Sequence, residues 1–345
     1  MSDIQYYNRN IDLIKGLLII FVITLHFPFR DLSDKALFFP FLLNFSVPGF
    51  MFISGYVRTL SFKRKGYLSL EDAYAIKDIL KSILRLAVPF TLFFVFAQIF
   101  LRIIGFYTVG VVEYGLLALG FDYLRGFIGQ GAYYFPIMIQ FVFVFPVIWR
   151  IVKKMGFAGV WFAFGINIFY EILKQAYGMS DYEYRFLVFR YLFIISCGCY
   201  AAIYEPKIIP ANGLLMILTL LLGAAFIYLF VYSGYGPSAK IITYWQGTSA
   251  VTCLYAAPLM FWAATKGKLT FRPLEVVGQA SFNIFLVQIL YYLYYHFAMV
   301  QSTGSVMEYL ASVIVCVCLG IAFYYPEKYL TGMIIKKMNK KDART

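Results

Sequence analysis

The stretch NIDLIKGLLIIFVITLH, residues 10–26, determines how the rest of the chain is interpreted. Its apolar part is close to the roughly 20 residues that a helix needs to cross a bilayer. It is too long for the apolar core of a signal peptide, and no cleavage site of small residues follows it. We therefore expect a first membrane-spanning helix that stays in the protein.

The composition of the whole chain points to the same class of protein. Of its 345 residues, 62% are hydrophobic and only 14% are charged, whereas soluble domains are about half apolar and about one quarter charged. A bilayer accommodates this excess because lipid contacts apolar side chains all round a helix. We predict an all-α, polytopic integral membrane protein that forms a single domain over residues 1–345.

Apolar runs of suitable length recur along the chain, so about ten transmembrane helices are expected. The runs lie at 11–28, 39–58, 84–105, 133–151, 157–173, 186–204, 212–232, 243–265, 279–299 and 306–325. The stretch 107–130 is only moderately apolar and carries Glu113, Asp122 and Arg125. We predict that it forms an outer or re-entrant segment.

The distribution of basic residues predicts the orientation in the membrane. With the N-terminus inside, most of the 30 Lys and Arg residues fall in cytoplasmic segments, as the positive-inside rule requires. This predicts a multi-pass protein of the cell membrane with both termini in the cytoplasm. Residues 59–83 then form a cytoplasmic amphipathic segment, and residues 326–345 form a basic cytoplasmic tail.

The net charge of +13 fits a protein that contacts membrane lipids, because basic cytoplasmic loops lie against anionic lipid. No nucleic-acid-binding motif accompanies the charge, so we expect no nucleic acid. The five cysteines all lie in apolar stretches. Their spacing offers no metal-ligand set, so we expect neither a disulfide nor a metal site.

The first predicted span carries three polar side chains, Asp12, Lys15 and His26. The eleven steps from Lys15 to His26 leave them about 20° apart around the helix and about 16 Å apart along it. A cation near the inner surface can hold a phosphate, and a histidine further along the same face can do acid–base chemistry. A snorkelling anchor for Lys15 and a structural hydrogen bond for His26 remain alternatives. Asp12 is one turn before Lys15 and can pair with it.

Five blocks of the sequence resemble the membrane-bound acyltransferase-3 family and occur in the family's order. They are Asn10–His26, VPGFMFISGY at Val47–Tyr56, ILRLAVPF at Ile83–Phe90, YYFPIMIQFVFVFP at Tyr133–Pro146, and VGQASFNIFLVQ at Val277–Gln288. The first matches a basic residue followed eleven positions later by histidine. Gln288 stands where many members have histidine, Ser46 where some have histidine, and the fourth block lacks the family's tryptophan.

The resemblance implies transfer of an acyl group, usually acetyl, from cytosolic acyl-CoA to a hydroxyl of an envelope or lipid-linked carbohydrate. Acyl-CoA is then a co-substrate, and no permanently bound cofactor is expected. His26 is the candidate catalytic residue, as base or as nucleophile, and we favour the base. The candidates for contacts with acyl-CoA are Lys15, Arg58, Arg85, Ser54 and Tyr56. The candidates for contacts with the acceptor are Tyr133, Tyr134, Gln140 and Gln288.

Several of these assignments have structural alternatives. Arg58 and Arg85 also suit positive-inside anchoring, and tyrosines are common at membrane interfaces. Asn283 and Gln288 also suit hydrogen bonds between helices, and we assign Asn283 and Asp12 supporting roles. Arg190, in the sixth predicted span, needs a partner, for which Glu171 and Glu183 are candidates.

Two other functions fit the same topology. One is a transporter or flippase of a lipid-linked glycan, although no matched pair of broken segments supports it. The other is a non-catalytic subunit of a polysaccharide assembly complex. The sequence also leaves open a homo-oligomer.

Overall fold

The computed structural model describes residues 9–29, 43, 45–106, 116–204, 213–232, 249–267, 269–297 and 304–342. This part of the chain is helical and contains no strand. The helices are α1 Arg9–His26, α2 Ser46–Arg64, α3 Leu70–Ala73, α4 Ile76–Ile103, α5 Leu116–Arg125, α6 Tyr134–Met155, α7 Phe157–Ala176, α8 Asp181–Phe186, α9 Leu192–Tyr204, α10 Gly213–Phe226, α11 Ala250–Lys266, α12 Arg272–Gln279, α13 Ser281–Phe297 and α14 Val306–Asp342. A 3-10 helix, Val188–Tyr191, precedes α9, and a π-helical stretch, Ile227–Tyr232, follows α10.

Each of the ten predicted apolar runs overlaps one of these helices, but fewer than ten qualify alone as membrane spans. Four helical segments are long and apolar enough: Leu70–Ile103, Tyr134–Met155, Phe157–Ala176 and Val306–Asn339. The pair α12 and α13, bent by 70°, makes a fifth if it counts as one span. The helices α1 and α2 carry too many charged residues to qualify as membrane spans. The helices α9, α10 and α11 are too short. The count of ten therefore stays a prediction.

Three predicted segments take definite forms in the structure. Residues 59–83 comprise the end of α2, the short helix α3 and the start of α4. Within 107–130, α5 has ten residues, too few to span a bilayer, and residues 107–115 lie outside the described part. The predicted tail 326–345 continues α14 as helix to Asp342, and Glu327 within it is buried.

Glycine residues let two pairs of helices pack so closely that their backbones are in contact. A Cβ on Gly55 of α2 would meet the carbonyl oxygen of Ile195 in α9, and one on Gly198 would meet the carbonyl oxygen of Phe52. In the same way, a Cβ on Gly278 of α12 would meet the carbonyl oxygen of Asp12 in α1. Such close approach is typical of helix packing in membranes, and it fixes α12 directly against α1.

The helix α1 separates two clusters of buried apolar side chains. Its residue Leu18 belongs to a cluster built mainly from α2, α6, α9 and α11. Its residues Ile19, Val22 and Ile23 belong to a second cluster, built mainly from α4, α13 and the segment before α6. The face of α1 that carries Ile19 and Val22 therefore looks toward α13.

Candidate functional site

A stripe along α1 connects the two polar residues predicted to share a face. Lys15, Ile19, Val22 and His26 follow one another at intervals of four, three and four residues, so they lie on one side of the helix. A cavity of about 50 Å³ lies against the middle of this stripe. Its lining residues are Ile19, Val22, Val47, Phe50, Tyr134, Ser281, Phe282 and Phe285.

The cavity brings together four of the five blocks that resemble the acyltransferase-3 family. Ile19 comes from the first block, Val47 from the second, Tyr134 from the fourth and Phe285 from the fifth. The block Ile83–Phe90 instead supplies Phe90, whose ring stacks on Phe135 with centroids 3.7 Å apart. Residues distant in sequence therefore converge on one small apolar space.

The imidazole of His26 is enclosed by protein at the outer end of the stripe. Its ring lies edge-on to the ring of Tyr292, with centroids 6.4 Å apart, and Tyr292 donates a 3.0 Å hydrogen bond to the carbonyl of Ile23. Gln288 lies beside the imidazole. The Nδ1 atom of His26 is buried and has no hydrogen-bond partner among the described residues.

The loop that leads into α6 covers His26, which the sequence analysis did not predict. A Cβ on Gly131 would lie 3.5 Å from Cε1 of His26 and 3.1 Å from Cε2 of Phe285. Gly131 has φ +86°, and Phe127 in the same loop has φ 86°, a conformation rare for a bulky residue. Phe127 is buried against Phe93, with ring centroids 5.3 Å apart. The run GFIGQG at 126–131 was the available signal, because clustered glycines mark tight backbone turns.

Lys15 forms the ion pair that its spacing to Asp12 predicts. The Lys15 Nζ atom lies 2.6 Å from Asp12 Oδ1, and the side chains are 26% and 8% exposed. Lys328 of α14 lies within electrostatic range of Asp12 and donates a 2.8 Å hydrogen bond to Tyr324 Oη. Lys328 is exposed, so a second cation that we did not single out stands near this end of α1.

Arg58 and Arg85 come together where α2 meets α4. Arg58 Nη1 donates to Ser82 Oγ, and Arg85 and Asp78 lie within electrostatic range of the guanidinium. The Nε and Nη2 atoms of Arg58 are buried without a partner in the described residues. Asp78 pairs with Lys65 at 2.7 Å, so its charge is shared. Arg85 is exposed and can meet a solvent-borne anion.

Ser54 and Tyr56, both predicted to contact acyl-CoA, point to different places. Ser54 donates a 2.8 Å hydrogen bond to the Phe50 carbonyl and lies beside Tyr134. It therefore adjoins the cavity. Tyr56 is fully buried in the α2, α6 and α9 cluster, with its ring stacked parallel to that of Phe52. Tyr56 is thus a packing residue and not part of this site.

The residues predicted to contact the acceptor also lie in different parts of the structure. Tyr134 lines the cavity, and its ring lies 5.2 Å from that of Phe285. Both ends of the Gln140 amide are bonded to backbone, because Nε2 donates to the Phe186 carbonyl at 2.8 Å and Oε1 accepts from Val188 N at 3.1 Å. Gln140 therefore holds the backbone between α8 and α9, and its contact with the acceptor stays a prediction.

Tyr133 and Asn283 also have structural partners. The Tyr133 ring lies 6.0 Å from the guanidinium of Arg190, on the side of α6 that faces the 3-10 helix. Asn283 donates to Glu327 Oε2 of α14 at 3.4 Å, in line with the supporting role predicted for it. Gln288 is fully buried, and neither of its amide atoms is bonded to a described residue.

Arg190 is buried in a cage of tyrosine rings. Its guanidinium carbon lies 4.8 Å from the ring centre of Tyr184 and 4.9 Å from that of Tyr191. Of its two predicted partners, Glu171 lies within electrostatic range, and it accepts from Ala250 N at 2.6 Å.

The other predicted partner, Glu183, caps α8 by accepting from Ser180, so it is excluded. Among the described residues, no acid forms a direct ion pair with Arg190.

Comparison with known proteins gives a family match over most of the chain. The sequence profile described as "Acyltransferase domain" of acyltransferase type 3 matches residues 8–325. No curated protein and no solved structure matches the chain. The matched range contains α1, the cavity and every helix that lines it.

Proposed function

The chain belongs to the acyltransferase-3 family and is a membrane acyltransferase, and we propose that it moves an acetyl or other short acyl group from cytosolic acyl-CoA to a hydroxyl of an envelope or lipid-linked carbohydrate. One observation carries this proposal. The apolar cavity lies on the stripe between the Lys15 ammonium and the unpartnered Nδ1 of His26. An acyl group has a place there between a phosphate-binding cation and a base.

The size of the cavity supports a short acyl group. Its volume of about 50 Å³ is several times the roughly 10–15 Å³ that one water molecule requires. The space suits a group of a few heavy atoms and not a long hydrocarbon chain. Its walls are apolar, which keeps bulk water away from a thioester before the acceptor arrives.

Basic residues at the inner end of the helices would hold the phosphates of acyl-CoA. Lys15 and Lys328 stand near one another around Asp12, and Arg58 has buried guanidinium atoms without a partner. A charge-assisted hydrogen bond to phosphate is stronger than one between neutral groups. The pantetheine arm would then follow the α1 stripe toward His26.

His26 would act as the general base for the acceptor hydroxyl. The hydroxyl oxygen attacks the thioester carbonyl, and the imidazole removes its proton. Tyr134 lines the cavity and Ser54 lies beside it, and their hydroxyl groups suit contacts with a sugar. Tyr133 and Gln140 are not included, because both face the helices that carry Arg190.

The proposed topology places this machinery across the membrane. We propose a single domain with about ten spans and both termini in the cytoplasm. In that topology the Lys15 end of α1 faces cytosolic acyl-CoA, and the His26 end lies toward the outer half of the bilayer.

The direct test of the proposal replaces each of the two histidines separately. His26→Ala should abolish transfer of radiolabelled acetyl from acetyl-CoA to envelope carbohydrate, while the amount of protein in the membrane stays unchanged. His296→Ala is the matched control, because His296 is exposed near the end of α13, and it should retain transfer. Full activity of His26→Ala would remove the imidazole from the mechanism. A wild-type protein that neither transfers nor hydrolyses acetyl-CoA would favour a transporter or a non-catalytic subunit.

A further inference from the structure

A second stripe, on α13, faces the first one on α1. Ser281, Phe285, Gln288 and Tyr292 also follow one another at intervals of four, three and four residues. Ser281 and Phe285 line the cavity, while Gln288 and Tyr292 lie against His26. The two stripes therefore face each other from the apolar cavity to the imidazole.

Gln288 differs in its contacts from the buried amide of Asn283 and from the half-buried amide of Gln140. Asn283 is bonded to Glu327, and Gln140 is bonded at both ends to backbone. Gln288 is fully buried, and both Nε2 and Oε1 have no partner within the described part of the chain. Its contact with His26 is close, but it lacks hydrogen-bond geometry, since Nδ1 of His26 is unpartnered as well.

A buried amide whose polar atoms have no hydrogen-bond partner destabilises a protein, because nothing compensates its desolvation. An apolar side chain of the same size would fill this position without that cost. The expected hydrogen bond between helices is not made, so packing does not explain the amide. A polar group of a ligand between α1 and α13 would satisfy it.

We propose that Gln288 is a catalytic residue that donates its Nε2–H to the carbonyl oxygen of the acyl thioester. This inference rests on the proposed function. A short acyl group in the cavity would direct its carbonyl along the two stripes toward His26. There the amide of Gln288 on α13 would reach the carbonyl oxygen, and the imidazole on α1 would reach the acceptor hydroxyl that attacks the carbonyl carbon.

The step balances without any further reactant. The acceptor oxygen forms a bond to the carbonyl carbon, its proton passes to His26, and the carbonyl electron pair moves onto oxygen. Gln288 stabilises this oxyanion, because a donor fixed where negative charge develops needs no reorganisation. The electron pair then returns, the carbon–sulfur bond breaks, and the CoA thiolate takes the proton from the imidazolium.

The test compares Gln288→Leu and Gln288→Glu with wild type in purified protein. Gln288→Leu removes both the donor and the unsatisfied amide, and Gln288→Glu replaces the amide by a carboxyl group that offers no donor when it is ionised. We expect kcat for acetyl transfer from acetyl-CoA to fall by about 100- to 1000-fold, as for loss of one oxyanion donor. Binding of acetyl-CoA, measured by titration calorimetry, should change less than about threefold. Gln288→His, which restores a donor, should recover part of the rate.

The thermal midpoint in detergent separates this role from a structural one. Gln288→Leu should melt at or above the wild-type temperature, whereas Gln140→Leu, the matched control that breaks two backbone bonds, should melt lower. Two outcomes would overturn the inference. In one, Gln288→Leu keeps the wild-type kcat. In the other, Gln288→Leu loses both rate and thermal stability while Gln288→Glu stays active. A wild type without transferase activity would overturn the proposed function as well.

Discussion

Gly278→Ala tests whether the close approach of α12 to α1 supports catalysis. A Cβ at Gly278 would meet the carbonyl oxygen of Asp12, and it would lie 2.6 Å from the carbonyl carbon of Asp12 and 2.9 Å from the nitrogen of Gly16. Ordinary contact begins at 3.4 Å, so the carbon contact alone is about 0.8 Å too short. All three atoms are backbone and cannot rotate away. The two helices must therefore separate by at least about that distance.

This separation would shift the helix that carries Lys15 and His26 relative to α13. Overpacking of this kind costs about 1–3 kcal/mol, and a misplacement near 1 Å can lower a rate by about 100-fold. We expect Gly278→Ala to transfer acetyl about 10- to 100-fold more slowly per molecule of membrane-inserted protein. Radiolabelled acetyl incorporation, normalised to protein by immunoblot, measures this rate. The thermal midpoint in detergent should fall as well.

The control for this prediction is Gly332→Ala in α14. A Cβ there meets nothing within 4 Å, and alanine favours helix over glycine by about 1 kcal/mol. Gly332→Ala should therefore be neutral or slightly stabilising, with a normal rate. If Gly278→Ala inserts, melts and transfers like the wild type, the reasoning from backbone contact between α12 and α1 is refuted.

Two further predictions concern the Arg190 cage and the cap of α8. Arg190→Met removes the cation that lies over the rings of Tyr184 and Tyr191 and should destabilise the protein by about 2 kcal/mol, as for loss of a desolvated cation–π contact. Arg190→Lys should lower the thermal midpoint less, and equal midpoints would contradict this. Hydrogen bonds from Ser180 lower the pKa of Glu183, so this contact stabilises α8 at neutral pH and is lost as pH falls through the lowered pKa. In Ser180→Ala the pKa of Glu183 should rise toward its ordinary value, and an NMR titration of labelled glutamate that shows no rise would contradict the capping assignment.

The sequence was a sufficient guide wherever a contact follows from helix periodicity. The pairing of Asp12 with Lys15, and the shared face of Lys15 and His26, need only the 3.6-residue repeat. The positions of the apolar helices follow from local composition in the same way. Ten runs were recognised, but the length of each helix depends on its ends. The charged residues of α1 and α2 and the short lengths of α9, α10 and α11 therefore left the number of spans open.

Contacts between distant segments were not predictable in this way. Nothing in the local sequence indicates that Gln140 binds the backbone of 186–188. Nor does it indicate that Tyr56 lies in the α2, α6 and α9 cluster while Ser54, two residues earlier, lies beside Tyr134. The loop before α6 is another example. Its glycines signalled a turn, but only the tertiary structure brings Gly131 against His26. Each of these positions depends on which helix packs beside it, and a single sequence does not state that.

The bend between α12 and α13 explains how both stripes reach the same site. Because α12 is held at Gly278 by direct contact with the Asp12 backbone, its axis is fixed at the Lys15 end of α1. The chain then turns by 70° at Ala280, and α13 runs along α1 with Ser281, Phe285 and Gln288 facing it. A straight helix with the same contact at Gly278 would leave α1 before reaching His26. The register of Gln288 against the imidazole is therefore set at Gly278, ten residues earlier in the chain, which is why a methyl group at Gly278 should impair chemistry at His26.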